Sequence, residues 1–230
     1  MIIDIVIVIP IYNDQKSAEI LFKTIKENNK CGVKYVFVDN GSKIKLVLAD
    51  ESANNKIEII RTDQNLGFGG GIQYGISKSE SEFIGWMPGN LKIMPTDLDQ
   101  YLSENLLKEN EIIKFRRIGR SRKDYIKTWI AGILQSIVAK ENMLDTGGTP
   151  TIAARKNVNK ILPGPQGYEF ESYVLFKFRK LKLKIKRPTI SYGNRIYGTS
   201  HWQKGLKTEY LLMKKIIREI PNWSNKNRDC

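Results

Sequence analysis

The sequence predicts an α/β fold with a mostly parallel central sheet flanked by helices. Two short apolar runs, residues 5–11 and 35–38, consist mainly of Val and Ile and are barely interrupted by polar residues. Strands that are buried on both faces of a parallel sheet have this composition. Each run ends in a polar turn, Tyr12-Asn13-Asp14 after the first and Asp39-Asn40-Gly41-Ser42 after the second. Because open parallel sheets bind ligands beyond the carboxyl ends of their strands, these turns are where a ligand is expected.

Strand and helix patterns alternate through the first half of the chain, as the crossovers of a parallel sheet require. Strands are expected at residues 4–11, 35–39, 57–61 and 83–87. Helices are expected at residues 17–28, 43–49 and 72–77. The less regular second half has expected helices at residues 98–109, 128–140, 169–180 and 207–220 and an expected strand at residues 183–190. Residues 145–165, rich in Gly, Thr and Pro, indicate a long functional loop.

Length and composition indicate one large domain over residues 1–205, followed by a basic C-terminal helix and tail over residues 206–230, with Pro221 ending that helix. The 230 residues, 41% of them hydrophobic, are enough to bury a full core. No apolar stretch approaches the roughly 18–20 residues of a membrane span, and the first strand lacks the basic leader of a signal peptide. Two cysteines and one histidine exclude a disulfide framework and a histidine-rich metal site, so a reducing, cytosolic setting is expected.

Positive charge is concentrated in two segments of a chain whose formal net charge is +14. Residues 114–127 hold seven basic residues against one acid, and residues 176–187 hold seven with no acid. Such fields attract phosphates, anionic lipid head groups or nucleic acid, although a solvated basic surface is an equal alternative for any one lysine. Nucleic acid is not the expected partner, because the chain lacks an aromatic single-strand platform and any recognised DNA motif.

A glycine-rich segment, Asn65-Leu66-Gly67-Phe68-Gly69-Gly70-Gly71, precedes the predicted helix at residues 72–77. Glycines let the backbone approach a ligand closely, and a helix start favours an anion. The segment does not fit G-x-G-x-x-G, because Ile72 and Gln73 stand where a glycine is needed, and it lacks the Lys-Ser/Thr ending of a phosphate loop. Dehydrogenase and ATPase functions therefore lose support. The alternative for this segment is a crossover whose glycines only allow close packing and bind no ligand. Likewise, Asp39-Asn40-Gly41 taken alone could be a turn without a binding role.

Three segments, residues 9–13, 38–42 and 65–68, resemble in order and spacing the family 2 glycosyltransferases with the GT-A fold. The later part of the chain resembles the polyprenyl-phosphate branch of that family, similar to the dolichol-phosphate mannosyltransferases. It offers an acidic pair opening a helix, Glu169 and Glu171, then a strand, then an Arg-x-x-Gly-x-Ser element that begins at Arg195. Residues 145–150 resemble the loop that these enzymes place over the site. The resemblance spans about residues 3–205.

The resemblance implies an inverting transfer of a sugar from a nucleotide-sugar, linked to UDP or GDP, at the carboxyl ends of the strands. It implies that Asp39 holds the base or ribose and that Arg195 meets phosphate, with Glu169 and Glu171 as further catalytic candidates. The other substrate-binding candidates are Pro10, Tyr12, Asp14, Asn65, Gly67, Asn90, Arg117, Arg120, Arg122 and Ser200. The first three of these would line the nucleotide pocket, and the three arginines fall in the stretch that faces the lipid phosphate in this branch.

One position departs from the family pattern. These enzymes carry Asp-x-Asp or Pro-Gly-Asp after the strand predicted at residues 83–87 to bind Mg²⁺ or Mn²⁺, whereas this chain reads Pro88-Gly89-Asn90. A hard divalent cation prefers carboxylate and phosphate oxygens, so metal binding at Asn90 is expected to be weak and a metal cofactor is doubtful. Three interpretations stay open: Glu169 or Glu171 with the diphosphate still holds a metal, basic side chains replace it, or the site only binds.

Two acceptor classes are compatible with these residues. A sugar hydroxyl needs a base, which Glu169 or Glu171 could supply, whereas a phosphate acceptor is already ionised and needs only positioning. The surplus of Arg and Lys favours polyprenyl phosphate at the cytoplasmic face of the cell membrane. The alternatives are a glycan acceptor and a non-catalytic nucleotide-sugar binder. Glu169 and Glu171 could also have a purely structural role, because acidic residues at the start of a helix interact favourably with the helix dipole. For His201, a surface or packing role is preferred to a contact with phosphate.

An apolar stripe runs along the helix predicted at residues 128–140. It comprises Trp129, Ile130, Ile133, Leu134, Ile137 and Val138. The stripe could rest on an anionic membrane surface or pack in the core, but the helix is too short to cross a bilayer. Any membrane contact is therefore expected to be peripheral, through basic and amphipathic surface.

Overall fold

The computed structural model describes residues 4–48, 56–193 and 206–225. The strands are β1 (Ile5–Ile11), β2 (Lys34–Asp39), β3 (Ile57–Arg61), β4 (Phe83–Trp86), β5 (Glu111–Lys114), β6 (Arg116–Ile118), β7 (Thr151–Ala154), β8 (Lys184–Lys186) and β9 (Thr189–Ser191). The helices are α1 (Gln15–Asn28), α2 (Gly67–Ser77), α3 (Pro95–Glu104), α4 (Arg122–Ala139), α5 (Arg155–Asn159), α6 (Phe170–Lys180) and α7 (Leu206–Asn225).

Seven strands form one sheet in the order β3-β2-β1-β4-β7-β5-β8, and β6 pairs with β9 in a second, two-stranded sheet. The large sheet is parallel except at β7, which runs antiparallel to both β4 and β5. The expected mostly parallel α/β fold is confirmed. Because β7 is reversed, it begins at the edge where its neighbours end, so the segment before it, residues 145–150, reaches the carboxyl edge of the sheet.

Both faces of the sheet are covered, which explains the uninterrupted apolar runs. The isoleucines of β1 face a core that also contains Leu21 of α1 and Leu98 of α3. Val6 and Val8 of β1 face a second core with side chains from α2, α6 and α7. Successive residues of a strand point to opposite faces, so a strand between two cores needs apolar residues at every position.

The C-terminal helix contributes to the second core. Ile216, Ile220 and Trp223 of α7 are buried, and the Trp223 ring packs edge-on against Tyr173 with 5.5 Å between centroids. The helix continues to Asn225, so the prediction that Pro221 ends it is wrong. Packing of Trp223 beyond the proline compensates for the backbone hydrogen bond that proline cannot donate. The domain boundary at residue 205 stays a prediction.

Among the predicted helices, one is absent from the described residues and others have different bounds; the helix expected at residues 128–140, for example, begins at Arg122. Residues 43–48 contain no helix, because the Asp39 side chain takes up the backbone amides of Ser42 and Leu46. The helix expected from residue 72 begins at Gly67, so the glycine-rich segment forms its first turns. The helix expected at residues 98–109 covers Pro95–Glu104 and ends where Nδ2 of the Asn105 side chain donates to the Tyr101 carbonyl.

Two further predictions were wrong in the second half. The segment expected to be one long loop, residues 145–165, contains β7 and α5. The strand residues Thr151–Ala154 are all buried, and they pair with β4 on one side and β5 on the other. The strand expected at residues 183–190 is split into β8 and β9, which belong to different sheets. Pro188 stands at the break, where its missing N–H cannot join a ladder.

The apolar stripe of the predicted amphipathic helix faces solvent. Ile130 and Ile137 of α4 are 49% and 69% exposed, whereas the buried residues of this helix are Gly132, Gln135 and Ala139. The core-packing alternative is therefore wrong for this stripe. Within the described residues, no helix is long and apolar enough to span a membrane.

A buried acid links α3 to the amino-terminal end of β2. The Tyr35 hydroxyl donates to Asp99 Oδ1 at 3.0 Å, and Asp99 Oδ2 has no hydrogen-bond partner among the described residues. Burial raises the pKa of Asp99 to about 6, although the Tyr35 hydrogen bond opposes the shift. Because Asp99 lies against the amino-terminal end of β2, away from the turns at the carboxyl ends of the strands, it belongs to the scaffold.

We expect Asp99→Asn to stabilise the protein at pH 7–8 by about 1–2 kcal/mol, because the buried charge is removed while Tyr35 keeps an acceptor. A raised pKa means that the native state binds the proton more tightly, so wild-type stability falls as pH rises from about 4 through about 6. The free energy of unfolding from urea titrations across this range should lose that slope in the variant. Glu104→Gln, at an exposed position of the same helix, is the control and should keep it. An unchanged slope in Asp99→Asn would contradict the assignment.

Candidate active site

The turns after β1 and β2 are fastened to each other. The Asn13 amide donates to Ser42 Oγ at 2.9 Å, and the Lys43 amide donates to Asn13 Oδ1 at 2.8 Å. Asn13 adopts a positive φ of 51°, which Asn tolerates better than most residues and which turns its side chain back toward the second strand. The two turns therefore form one rigid rim at the carboxyl edge of the sheet.

Asp39 shapes this rim from inside. Its Oδ1 accepts a hydrogen bond from the Ser42 amide at 3.0 Å, and its Oδ2 accepts one from the Leu46 amide at 2.9 Å. Oδ2 also forms an ion pair with Arg61. Burial alone would raise the pKa of Asp39, but these hydrogen bonds outweigh it and hold the pKa below its usual value. The side chain is only 1% exposed. In this geometry Asp39 organises the loop at residues 39–46, and its predicted contact with a base or ribose stays untested.

Asn40 connects the rim to the third segment of the sequence pattern. Its Nδ2 donates to the Gly67 carbonyl at 2.9 Å, and its Oδ1 accepts the Leu66 amide at 3.1 Å. Asn65 accepts the Gly67 amide at 2.8 Å and lies 3.3 Å from Asn40 Nδ2. The predicted site residues Asn65 and Gly67 therefore lie beside the β2 turn, at the start of α2.

The glycines of α2 permit close packing. A side chain at Gly69 would collide with the Pro165 carbonyl and the Phe170 ring, and one at Gly75 would collide with Val8 of β1. Gly67, at a φ of +78°, lies against the Gln166 carbonyl, which also accepts the Gly70 amide at 2.9 Å. At these positions the glycines pack closely against the chain segment at residues 164–167, and the predicted ligand contact of Gly67 stays a prediction.

The other predicted residues of the nucleotide pocket lie at the end of β1. Asp14 caps α1, accepting the Ser17 amide at 3.4 Å, and Tyr12 is half-buried. Pro10 is half-buried and faces the start of α2, where a side chain at Gly71 would come 3.2 Å from its Cβ. The three residues line one side of the carboxyl edge, next to the rim formed by Asn13 and Ser42.

The turn after β4 offers no charged metal ligand. Asn90 Oδ1 accepts the Lys92 amide at 3.2 Å and remains a neutral oxygen. Across residues 4–48, 56–193 and 206–225, no group of three or more His, Cys, Asp or Glu could hold a metal ion. Mg²⁺ in nucleotide sites is usually bound by one or two carboxylates together with phosphates. At the position where the family pattern has a carboxylate, this turn therefore supplies a neutral amide oxygen.

A buried ion pair lies on the last rung of the sheet. Trp86, Thr151 and Lys114 are successive partners across β4, β7 and β5, and Glu171 of α6 reaches over them. Glu171 accepts the Trp86 indole N–H at 2.8 Å and forms an ion pair with Lys114, whose side chain is fully buried. Burial lowers the pKa of the Lys114 ammonium, and Glu171 opposes this only in part. Both oxygens of Glu171 are thus engaged in the scaffold.

The second acid of the predicted pair also has a cationic partner. Glu169 accepts from Lys215 of α7 at 2.7 Å, and its carboxylate is packed against the backbone at Gly167. The carboxylate is 6% exposed, whereas Lys215 is about half exposed. Of the two predicted catalytic acids, Glu169 is therefore the one whose partner can move into solvent. The pairing of Glu169 also attaches α7 to the edge of the site.

Three arginines converge on the segment before β7. Arg117 donates to Asp145 Oδ1 at 2.9 Å, Arg120 lies 3.8 Å from the same oxygen, and Arg187 donates to the Asp145 and Leu144 carbonyls at 3.1 and 3.0 Å. Burial lowers the pKa of Arg120 and of Arg187, and the Arg117 charge lowers that of Arg120 further. Asp145 is the one carboxylate that pairs with this arginine cluster among the described residues.

Two N–H groups of the arginine cluster have no hydrogen-bond partner among the described residues and are available to an anion. Arg117 Nε and Arg120 Nε are buried without hydrogen-bond partners among the described residues, and so is Asp145 Oδ2. Arg117 stacks on Tyr192 with 5.2 Å from Cζ to the ring centroid, and Lys92 lies equally close to that ring. Tyr192 therefore connects the cluster to the turn that contains Asn90. Buried donors without partners are costly, and a phosphate would satisfy them.

The remaining predicted site residues fall into two groups. Arg122 is exposed in the first turn of α4 and is not part of the arginine cluster. Arg195, Ser200, His201 and Trp202 lie outside the described residues.

The profile of Glycosyl transferase family 2 matches residues 6–200. The chain belongs to this family. It is a glycosyltransferase with the GT-A fold, as the sequence pattern predicted.

Solved structures support the same fold. The chain is similar to glucosyl-3-phosphoglycerate synthase from Mycobacterium tuberculosis in complex with Mn²⁺, UDP and glucosyl-3-phosphoglycerate, at 14% identity and a TM-score of 0.72. The match covers 96% of this chain and 79% of that chain. The same synthase with Mg²⁺ and UDP matches with the same values. At this identity the likeness shows the fold, and the polyprenyl-phosphate branch is not distinguished from the rest of the family.

Sequence reasoning missed several residues of this glycosyltransferase site. Lys114 was counted only as part of a basic segment, although it follows the apolar pair Ile112-Ile113 as the last residue of a short strand. Arg187 was counted in the same way, and the following Pro188 was the single sign of a bend there. Asn40 belongs to the turn motif after β2, but nothing in the sequence shows that its side-chain oxygen and nitrogen hold the backbone at residues 66 and 67.

We expect Glu171→Gln to lower the free energy of unfolding by about 3–5 kcal/mol, because Lys114 would be left as an uncompensated buried charge. The double variant Lys114→Met/Glu171→Leu should regain most of this loss, since it removes both charges. Urea denaturation followed by circular dichroism measures both effects. Glu169→Gln, whose partner Lys215 is half exposed, is the control and should lose less than about 1 kcal/mol. A Glu171→Gln protein of normal stability but without activity would instead make Glu171 a catalytic group.

Proposed function

We propose that this glycosyltransferase moves a sugar, with inversion, from a nucleotide-sugar to a polyprenyl phosphate at the cytoplasmic face of the cell membrane. The arginine cluster carries this proposal. Two partly buried guanidinium groups, of Arg117 and Arg120, share the Asp145 carboxylate, while Arg187 donates to backbone carbonyls beside it. One buried N–H group of Arg117 and one of Arg120 have no partner among the described residues. Such an arrangement suits an acceptor that brings its own negative charge.

A phosphate acceptor also explains why no free carboxylate base is prominent. In the proposed step, an ionised phosphate oxygen attacks the anomeric carbon of the donor sugar. The bond from that carbon to the donor diphosphate oxygen breaks, and the nucleoside diphosphate leaves with the electron pair. No proton has to be removed from the nucleophile, so the protein's contribution is positioning and electrostatic stabilisation. Arg117 and Arg120 would orient the acceptor, and Arg195 is proposed to meet the diphosphate.

The donor half of the site is proposed at the joined turns of β1 and β2, between Tyr12 and the loop organised by Asp39. UDP is the first choice of nucleotide, because the similar synthase structures contain UDP; GDP is the alternative. Those structures also contain Mn²⁺ or Mg²⁺, so a divalent ion that is held mainly by the donor diphosphate is compatible with this site. Basic side chains would then supply the charge that Asn90 does not.

Two alternatives rest on specific observations. The similar synthase is crystallised with phosphoglyceric acid, so a small phosphorylated acceptor would satisfy the same arginines. The neutral Asn90 supports a protein that binds a nucleotide-sugar without transferring it. A hydroxyl acceptor on a glycan is a third possibility, for which Glu169 would be the base, since its partner Lys215 can move into solvent.

The acceptor proposal is tested with radiolabelled UDP- and GDP-sugars, polyprenyl phosphate, phosphoglycerate and oligosaccharide acceptors. We expect label in an acid-labile lipid fraction. Arg117→Ala should lower kcat/KM for the lipid by about 10²-fold, because a desolvated charge pair is lost. Asp145→Asn should instead lower the KM for the acceptor, since the competing carboxylate is gone. Label in phosphoglycerate or oligosaccharide alone would overturn the lipid acceptor, and donor binding without any transfer would support the binder.

Arg116→Ala is the matched control for the arginine cluster. Arg116 precedes Arg117 in β6, but its side chain is exposed. Removing an exposed charge should change kcat/KM by no more than about twofold. If Arg116→Ala and Arg117→Ala lowered kcat/KM equally, the result would indicate general attraction of the acceptor by a basic surface and would contradict a specific anion site.

The role of a metal is tested at Asn90. We expect Mn²⁺ to add little to the thermal stabilisation of the natural protein by UDP, and to add more in Asn90→Asp, because a carboxylate gives the ion a charged ligand. Asn105→Asp, at the end of α3, introduces the same charge elsewhere and should show no gain. Loss of all activity of the natural protein in a chelator, together with tight Mn²⁺ binding, would count against this account of Asn90.

A further inference from the structure

The exposed apolar residues of the described part of the chain are concentrated on one helix. Of the fifteen large hydrophobic residues that are exposed there, seven belong to α4. They are Tyr125, Ile126, Trp129, Ile130, Leu134, Ile137 and Val138. Single exposed apolar residues need no explanation, but a contiguous group on one helix marks an interaction surface.

The helix is oriented with its apolar side outward. Ile126, Ile130 and Ile137 are 55%, 49% and 69% exposed and recur at spacings of four and seven residues, which places them on one face. The opposite face carries the buried residues Gly132 and Gln135. Packing of this second face fixes the orientation, because a side chain at Gly132 would come within 3.0–3.1 Å of Leu144. The outward apolar face is thus a property of the packed structure.

Positive charge surrounds this face. Arg122 and Lys123 are exposed in the first turn of α4, and Lys140 is exposed at its end, while Lys127 pairs with Glu209 of α7 at 2.9 Å. The chain as a whole carries a formal net charge of +14. A second copy of this chain would bring an equal positive rim against the first, which opposes self-association. A surface of anionic lipids complements both the charge and the apolar face.

The apolar face begins at the arginine cluster. Arg120 donates to Thr128 Oγ1 of α4 at 3.0 Å, and its guanidinium lies 6.0 Å from the Tyr125 ring centroid. Leu144, which lies against Gly132, directly precedes Asp145 in the cluster. We propose that α4 docks on an anionic bilayer, lying in the membrane plane with its isoleucine face in the lipid. This inference rests on the proposed function only where it relates the bilayer to the acceptor.

Vesicle binding without donor or acceptor tests the proposal. The purified full chain is mixed with vesicles of equal parts phosphatidylglycerol and phosphatidylcholine, or of phosphatidylcholine alone. We expect co-sedimentation with the anionic vesicles, weakened by salt, and a blue shift of tryptophan fluorescence that disappears in Trp129→Phe. Ile130→Asp/Ile137→Asp should lower the partition constant by about tenfold or more, because two charges would enter the acyl region.

Leu106→Asp/Leu211→Asp is the matched control, since these residues are 62% and 52% exposed but lie outside α4. It should bind vesicles like the natural protein. Circular dichroism and the UDP thermal shift confirm that each variant is folded. Absence of binding to anionic vesicles, or equal binding by the α4 variant, would overturn the proposal. So would a dimer that dissociates in the α4 variant while vesicles are not bound. Vesicle binding without any sugar transfer would overturn the proposed function and leave the docking surface intact.

Discussion

The carboxylate of Asp39 is the contact on which the geometry of the nucleotide side depends. Its two oxygens hold the backbone at Ser42 and Leu46 and an ion pair with Arg61, so they fix the path of the chain after β2. That path places Ser42 where it accepts the Asn13 amide and places Asn40 where it holds the start of α2. Because burial opposes ionisation while several donors favour it, the lowered pKa of this buried carboxylate depends on the loop keeping this form.

Charge is distributed differently on the two sides of the site. On the last rung of the sheet, the positive charge of Lys114 is compensated by its buried ion pair with Glu171, so it is not available to attract a ligand. Around Asp145 the cations outnumber the carboxylate, and burial already lowers the pKa of Arg120 and Arg187. An entering anion would therefore relieve an existing repulsion as well as form new contacts. This asymmetry is the physical reason for expecting the anionic acceptor on the β5–β8 side and the donor on the β1–β2 side.

The sequence predicted the parts of the fold that depend on local pattern. The buried strands β1 and β2, and the turns that follow them, could be found because a strand between two cores is apolar at nearly every position. The strands β5 and β7 have only four residues each and no periodicity to detect. Partners of site residues were out of reach for a different reason: the pairings of Lys114 with Glu171 and of Glu169 with Lys215 join segments 57 and 46 residues apart. A single sequence contains no sign of which distant charges meet.

The helix α4 shows where pattern alone stops being decisive. An apolar stripe predicts a two-sided helix, and burial of the stripe is the usual outcome. Here the other side is the one that packs, because Gly132 allows close approach to Leu144, just before Asp145, and Ala139 is buried in the second core. Reversing the helix would bury the isoleucines but would remove the close contact with Leu144 and move Thr128 away from Arg120. The same packing that aligns the arginine cluster therefore leaves the apolar side outward, and a bilayer in contact with that side would lie next to the guanidinium groups proposed to receive the lipid phosphate.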